Sequence, residues 1–514
     1  MFYSILFKTK EQHEQKRCTD EPDCFKDLNL NQIFNQVLKN KKEFKLESLF
    51  YTPLQDVEII SYRQEVMHDL ENEKLRRIIS NFSKNIYNID KNMIKITEAL
   101  TSKKSYENNY LTRGMLLNCA EKYCTEINNL VDGLKENKLH SEGLNSFAEY
   151  LLDYIESDTF KEFYSHVIRL QNQLSTVEYC MYIKNGTIRV RKYEGEIDYS
   201  QKLLKCFEKF RQGEVKDYHK KLDEEPIATH VEAEVLNMVA SLYKDIFTDL
   251  NIFCEKYMYF IDNTISRFAC EIQFYLSWLE YILPLRQVGL PFNYPKLVDN
   301  AEHIYVREGF DLALAFITRE NTVTNDFILN TPERIMVVTG PNQGGKTTFA
   351  RAFGQMHWLA SLGLCIPGSE ATLNIFDNIF THFAREEDLS SLNGKLQDDL
   401  IRLHDLLKKA TNRSIIIVNE IFSSTTLSDA LVLGQYMMDA ISKIGAIAVV
   451  VTFLDKLAYH GEETVSMVSI VNESDPTERT YKIIRKPPDG LAYAIHIANK
   501  YNLTYEQICR RLKK

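Results

Sequence analysis

Residues 334–348 read Arg334-Ile335-Met336-Val337-Val338-Thr339-Gly340-Pro341-Asn342-Gln343-Gly344-Gly345-Lys346-Thr347-Thr348. The opening residues form an apolar run of strand length. The centre matches G-x-x-x-x-G-K-[ST], and Phe349 to Phe353 continue as a helix. Strand, glycine-rich turn and helix in that order are the context a phosphate-binding loop requires. Glycines let backbone N–H groups curl around phosphate without a Cβ clash, and a helix N-terminus adds a field that favours anions. The pattern casts Gly340, Pro341, Asn342, Gln343, Gly344, Gly345, Lys346, Thr347 and Thr348 as a cradle for ATP. In that cradle Lys346 would reach the β- and γ-phosphates, and the Thr347 hydroxyl would ligate Mg2+.

A second buried strand, Ser414-Ile415-Ile416-Ile417-Val418, lies about seventy residues downstream and ends in Asn419-Glu420. In a P-loop enzyme this strand end usually supplies an Asp to the Mg2+ shell, and a following Glu polarises the attacking water. Asn419 can accept a hydrogen bond from a metal-bound water but carries no charge, so Mg2+ is expected to bind more weakly. Glu420 keeps the carboxylate for base work. A third run, Ala446 to Thr452, follows a helix; three apolar strands separated by helices predict a largely parallel sheet.

Upstream the texture changes. Residues 1–283 contain 6 Gly and 3 Pro, whereas residues 284–514 contain 13 Gly and 9 Pro. Apolar positions at helical spacing, such as Val66, Leu70, Leu75, Ile78, Ile79 and Phe82, predict several helices between Pro53 and Gly114. The stretch from Pro226 to Pro284 predicts one bent helix, or two joined by a short break; continuous, it would span about 85 Å. Pro284, Gly289, Pro291 and Pro295 cluster at the expected boundary. Between the helical stretches, Glu178–Lys184 and Thr187–Tyr193 flank Asn185-Gly186, the strongest short signal for a hairpin. Lys184, Arg189, Arg191 and Lys192 make that hairpin basic. Two readings stand: an exposed hairpin kept soluble by charge, or a tip that contacts DNA phosphates. Lys202, Lys205, Lys209 and Arg211 could extend the second or form a solvated helical face.

The 62 basic and 71 acidic residues sum to a formal charge of −9, which excludes a surface coated all over by nucleic acid but leaves room for a local basic patch. No apolar run reaches membrane-spanning length, and the N-terminus lacks the features of a signal peptide. The ten scattered Cys, without a C-x-x-C pair, read as buried thiols of a cytoplasmic protein.

At this point the residues resemble the MutS family of DNA mismatch-repair ATPases. Thr339 to Thr348 is similar to T-G-P-N-M-G-G-K-S-T, and Asn419-Glu420-Ile421-Phe422-Ser423-Ser424-Thr425-Thr426 with Asp429 to D-E-I-G-R-G-T-S-T-Y-D. Glu387-Asp388-Leu389 resembles the opening of the family's signature loop. Leu491-Ala492-Tyr493-Ala494 resembles its C-terminal motif, and Pro53-Leu54 with Arg63-Gln64-Glu65-Val66 the start of its helical core. The resemblance implies a short form without the N-terminal mismatch-reading domain; Phe147-Ala148-Glu149 matches the family's wedge tripeptide but sits in a helical stretch. It implies a homodimer in which the signature segment, here Asp388, Gly394 and Lys395, serves the neighbouring subunit's nucleotide. Gly394 stands where the family has Ser, Phe453 where it has His after the third strand, and no aromatic near Thr322 matches the family's adenine contact.

The expected fold is therefore α + α/β: a helical core with long lever helices, then a P-loop ABC-type ATPase domain with a mostly parallel sheet. The expected divisions are an N-terminal segment over 1–49, a helical core and lever domain over 50–290 with the hairpin near 179–193, and an ATPase domain over 291–514 ending in dimerisation helices. The expected function is an ATP- and Mg2+-dependent DNA clamp of repair or recombination that hydrolyses ATP slowly, with Lys346 and Glu420 catalytic and Thr347 and Asn419 at the metal. It would bind double-stranded or branched DNA and no membrane. The alternative is an ATP-binding scaffold with little hydrolysis that engages a protein or ribonucleoprotein.

Overall fold

The computed structural model describes residues 2–101, 110–196, 230–299, 302–384, 394–472, 479–488 and 503–512. Lys202, Lys205, Lys209, Arg211, Glu387, Asp388, Leu389 and the Leu491–Ala494 motif lie outside the described residues. In chain order the first helices are α1 (Lys10–Glu14), α2 (Cys24–Leu28), α3 (Leu30–Val37), α4 (Glu47–Tyr51), α5 (Val57–Asp69), α6 (Glu73–Thr101), α7 (Tyr110–Lys135), α8 (Glu142–Glu156) and α9 (Asp158–Ser175). The hairpin β1 (Tyr179–Lys184) and β2 (Thr187–Lys192) follows, then α10 (His230–Leu242), α11 (Lys244–Lys256) and α12 (Asn263–Gln287). The chain divides into two compact units: Met1–Arg76, Leu139–Asn145 and Glu271–Lys514 form the first, and Arg77–Lys138 with Ser146–Cys270 the second. The molecule is thus mixed helix and sheet.

Among the described residues the second unit is helical apart from the hairpin. Along α6, Ile79, Phe82, Ile86, Ile89, Met93 and Ile96 are buried at alternating three- and four-residue spacing, the stripe of an amphipathic helix. Phe147 is buried and stacks on Phe268 at a ring-centroid distance of 3.6 Å, so the wedge-like tripeptide is core packing. The single bent helix, or pair, expected between Pro226 and Pro284 is instead three helices. One break is Tyr243, whose hydroxyl donates to the Glu178 carbonyl. The other ends at Asp262, whose carboxylate accepts from the N–H groups of Thr264 and Ile265 and starts α12 afresh. Pro284, expected as a breaker, lies inside α12. The helix ends later, at Gly289 with φ +88°, where the N–H groups of Gly289 and Leu290 close onto Arg286 and Leu285.

The first unit is built on sheets. After α12 come β3 (Phe292–Asn293), β4 (Lys296–Val298), β5 (His303–Gly309), α13 (Leu312–Thr318), β6 (Asn325–Asn330), β7 (Ile335–Thr339) and α14 (Lys346–Ser361). Then follow β8 (Ile366–Pro367), β9 (Glu370–Asn374), β10 (Ile379–Phe383), α15 (Lys395–Lys409), β11 (Ile415–Asn419), α16 (Leu427–Ile444), β12 (Ile447–Val451), β13 (Thr464–Val471), β14 (Arg479–Arg485) and α17 (Tyr505–Leu512). The main sheet has the order β10-β11-β12-β7-β13-β14, parallel except for the antiparallel edge strand β14. The three strands expected from sequence are adjacent in it. β7, β11 and β12 are buried along their whole length, because helices cover both faces of a parallel sheet. A second sheet, β4-β9-β5-β6, is mostly antiparallel.

Residues 1–49 are not a separate segment: they fall in the same compact unit as the main sheet. Arg351 of α14 donates to the Asp27 carbonyl, Gln355 donates to the Leu28 carbonyl, and Thr381 donates to the Asp27 carboxylate. Close packing explains Gly354: a Cβ there would lie 2.7 Å from Ile417 and from Leu28. Nine Cys are free thiols among the described residues, five of them buried. No helix among the described residues is long and apolar enough to cross a membrane.

Candidate functional site

β7 ends at Thr339, and the chain turns through Gly340 at φ +116°, Gln343 at φ +60° and Gly345 at φ +88° before α14 begins at Lys346. Two of these are positions where glycine removes backbone strain. The turn is gripped from β13. Ser469, fully buried, donates through Oγ to the Gly344 carbonyl at 2.7 Å. A Cβ on Gly344 would sit 2.3 Å from that oxygen, and one on Gly340 would sit 2.9 Å from the Ser469 carbonyl. The loop therefore has one conformation that its neighbour enforces.

Within the loop the Lys346 ammonium donates to the carbonyls of Gly340 (2.9 Å) and Pro341 (3.1 Å) and to Oδ1 of Asn342 (3.4 Å). Lys346 is only 4% exposed, and Glu420 stands 3.9 Å from it. Burial pulls the Lys346 pKa below the ordinary lysine value; Glu420 opposes the shift and Arg479 adds to it. Thr347 donates to Oδ1 of Asn419 at 3.0 Å. Sequence-distant residues meet here: Lys346 with Glu420, and Thr347 with Asn419. Glu420 takes φ +53° and its N–H donates to the Val451 carbonyl, which ties it to the end of β12.

Gln343 to Thr348 and Glu420 line a cavity of about 540 Å3 whose far wall runs from Gly309 to Phe327. Thr322 and Val323 belong to that wall. An aromatic wall comes from Tyr481, on β14, which sequence reasoning missed. Tyr481 takes φ +57° where the β13–β14 register shifts. Asn325 holds it there, donating to the Tyr481 carbonyl (3.2 Å) and accepting from the Ile483 N–H (2.8 Å). A non-glycine residue in this conformation is strained by roughly 1 kcal/mol or more and persists only where its surroundings enforce it. Ser469, Arg479 and Tyr481 lie over a hundred residues beyond the loop and carry no local motif, so only the strand order brings them near it.

Not every expected residue joins the cavity. Gly394 and Lys395 start α15, where Gly394 accepts through its carbonyl from Gln397 and Asp398; neither lines the cavity. Phe453, 47% exposed after β12, also stays outside it.

A family profile described as MutS domain V matches residues 336–512, a span that begins in β7 and contains the loop, Asn419, Glu420 and Tyr481. The chain is 24% identical over 420 residues to the DNA mismatch repair protein MutS of Chlamydia muridarum, covering 77% of this chain and 50% of that protein. It is 25% identical over 392 residues to that of Caldicellulosiruptor saccharolyticus, covering 74% and 44%. It is 28% identical over 212 residues to that of Brevibacillus brevis, covering 40% and 25%. Residues 336–512 are thus similar to MutS domain V, and a longer part of the chain is similar to MutS proteins. The chain spans half the length, or less, of these curated relatives.

The four basic hairpin residues are not equivalent. Direct cross-strand partners are Tyr179–Lys192, Met181–Val190 and Ile183–Ile188, alternating with Cys180–Arg191, Tyr182–Arg189 and Lys184–Thr187. Partners share a face. Arg191 is engaged by Glu196 and by the Tyr182 hydroxyl. Lys192 lies 4.7 Å from the centre of the Tyr243 ring. Lys184 and Arg189 have no ion-pair partner among the described residues.

Proposed function

We propose that this chain is an ATP-dependent, DNA-binding switch of the MutS type, acting as a nucleotide-controlled clamp in DNA repair or recombination. The observation that carries the reading is the convergence of Lys346, Thr347 and Glu420 on one cavity at the C-terminal ends of β7 and β11. The residues fit ATP: side chains on Gly340 or Gly344 would collide with Ser469, so the backbone N–H groups stay open to an anion. ATP with Mg2+ supplies a scissile phosphoanhydride whose charge the metal shares.

The chain's own groups then have distinct tasks. Lys346 exchanges loop carbonyls for phosphate oxygens, for which its ammonium is already desolvated and oriented. Thr347 and Asn419 present neutral oxygens to the metal, and the missing charge at Asn419 makes turnover slow. Glu420 accepts the proton of the attacking water. Tyr481 offers a flat face to the base. Gly394 and Lys395 stand outside their own chain's cavity, which supports their service, with Asp388, in the cavity of a second copy. Each copy's nucleotide would then bias a homodimer between open and closed arrangements, and DNA affinity would follow. Lys184, Arg189, Arg191 and Lys192 are the proposed DNA-contact hairpin.

The test pairs ATP turnover with ATP binding. Lys346→Ala should abolish both, and Glu420→Gln should abolish turnover while ATP still binds. Wild-type turnover at background with ATP bound would instead support the scaffold reading, for which the uncharged Asn419 is the supporting observation. DNA binding is tested on homoduplex, mismatched duplex, four-way junction, single strand and structured RNA, with and without ATP. Absence of binding to all of them at low salt sinks the DNA reading.

A further inference from the structure

The cavity beside the phosphate loop has two walls that come from different sheets. Lys346 and Thr347 start α14 after β7 of the main sheet. The opposite wall runs from Gly309, the end of β5, through α13 to Phe327 in β6 of the second sheet. A nucleotide in the cavity would touch both walls, so the gap between them sets its fit. At the β6 end the gap is fixed by Asn325, bonded to Tyr481 and Ile483, and by Phe327, whose ring stacks on Phe349 of α14 at 4.1 Å.

At the α13 end the gap is spanned by Gln355, fully buried on α14. Its Oε1 accepts from the Leu312 N–H at 2.8 Å. Its Nε2 donates to Oδ1 of Asp311 at 3.0 Å and to the Leu28 carbonyl at 2.8 Å. Asp311 is buried, lines the cavity, and caps α13 by accepting from the Leu314 N–H at 3.1 Å. Gln355 and Asp311 therefore share the N–H groups that open α13. An amide can accept from an N–H while it donates to a carboxylate and a carbonyl; an ionised Glu has no donor, and Asn is one methylene shorter. The approach is close: a Cβ on Gly309 would lie 2.8 Å from Sδ of Met356, the next residue of α14. Burial holds the Asp311 carboxyl above the ordinary aspartate range, against the bonds from Gln355 and the Leu314 N–H and the charge of Arg351 on α14. Tyr281 of α12 is the other titratable group that senses Asp311.

We infer, resting on the ATP reading above, that Gln355 is a positioning residue for the nucleotide: it holds Asp311 and the first turn of α13 against α14, and so sets how far the opposite wall stands from the phosphate loop. Gln355 touches no nucleotide itself. It acts through Asp311 and α13, and its bond to Leu28 anchors the same clip to α2. The glycine-rich motif says nothing of it, because the residues it joins belong to three separate elements.

The experiment measures binding of a fluorescent ATP analogue, and ATP turnover, by the full chain. Gln355→Leu removes donor and acceptor; the dissociation constant for the analogue should rise about tenfold while turnover at saturation stays within about twofold. Gln355→Glu keeps the acceptor and sets a second carboxyl against Asp311. Two buried carboxyls share one proton, so this variant should match wild type at about pH 6 and bind about tenfold more weakly than wild type at about pH 9. Variants that bind the analogue as wild type does at every pH, with only a lowered unfolding midpoint, overturn the inference and leave Gln355 a packing residue. Wild type gives a reading that does not depend on the variants folding: ATP should slow amide hydrogen exchange over residues 310–314. Unchanged exchange there with ATP bound overturns the inference alone. Wild type that binds no ATP removes the ATP reading and the inference together.

Discussion

At the scale of single residues, Asn419 is the position where this chain's chemistry departs most from that of a fast P-loop enzyme. It accepts the Thr347 hydroxyl as an Asp would, so the geometry survives while a negative charge is lost. Asn419→Asp is expected to lower the Mg2+ concentration for half-maximal turnover by about tenfold, as one charge at contact distance implies. An unchanged Mg2+ titration would overturn the proposal that the missing charge at Asn419 slows turnover. A second residue-scale expectation concerns acid. His357 is fully buried and shares one hydrogen bond with the Phe353 carbonyl, and burial lowers its pKa from 6.5 to about 4. The unfolded chain therefore binds a proton between pH 6.5 and 4 that the folded chain refuses. Its stability is complete above that window and declines as pH falls through it, by about 3 kcal/mol at most. His357→Leu should flatten urea stability between pH 7 and pH 4.5, and a variant as acid-sensitive as wild type would contradict the assignment.

At the scale of elements, two strands that the motif does not mention shape the site. β13 grips the loop through Ser469, and β14 supplies Tyr481 in a strained conformation clamped by Asn325. Tyr481→Ala should raise the dissociation constant for ATP about tenfold with little change in turnover at saturation, because a lost stacking face is worth roughly 1–1.5 kcal/mol. Asn325→Ala should produce a smaller loss in the same direction by releasing the ring; equal ATP affinity in both variants and wild type would show that β14 plays no part in binding. The α14 helix makes a stability prediction instead. Gly354→Val would drive a branched side chain into Leu28 and Ile417 and lower unfolding free energy by roughly 1–3 kcal/mol, read from the urea midpoint. The reason is the N-terminal α2, which packs where the sequence suggested only a leading segment.

At the scale of the whole molecule, the formal charge of −9 requires the proposed DNA contact to be local. Binding should then show a shallow salt slope, of about −2 to −4. ATP should tighten DNA by the same factor that DNA tightens ATP, as linkage requires, and a DNA affinity that ATP leaves unchanged would exclude the switch. Much of this was legible in the linear chain, and for local reasons. A cradle of nine residues is contiguous, a buried parallel strand is an unbroken apolar run, and Asn-Gly dictates a hairpin turn by its φ preferences alone. Helix breaks were less legible: Pro284 is tolerated inside α12, whereas the break at Tyr243 lies beside a hydrogen bond to the Glu178 carbonyl that forms only in the folded unit, and Asp262 restarts the helix by a local cap. The sequence by itself determined the loop and the three central strands. Only the tertiary structure decided that Ser469, Arg479 and Tyr481 complete the site, and that α2 braces α14. It also decided that Lys192 lies over the Tyr243 ring. The physical reason is the same for each: these contacts join residues far apart in the chain, and strand order and cross-strand register, not local propensity, bring them together.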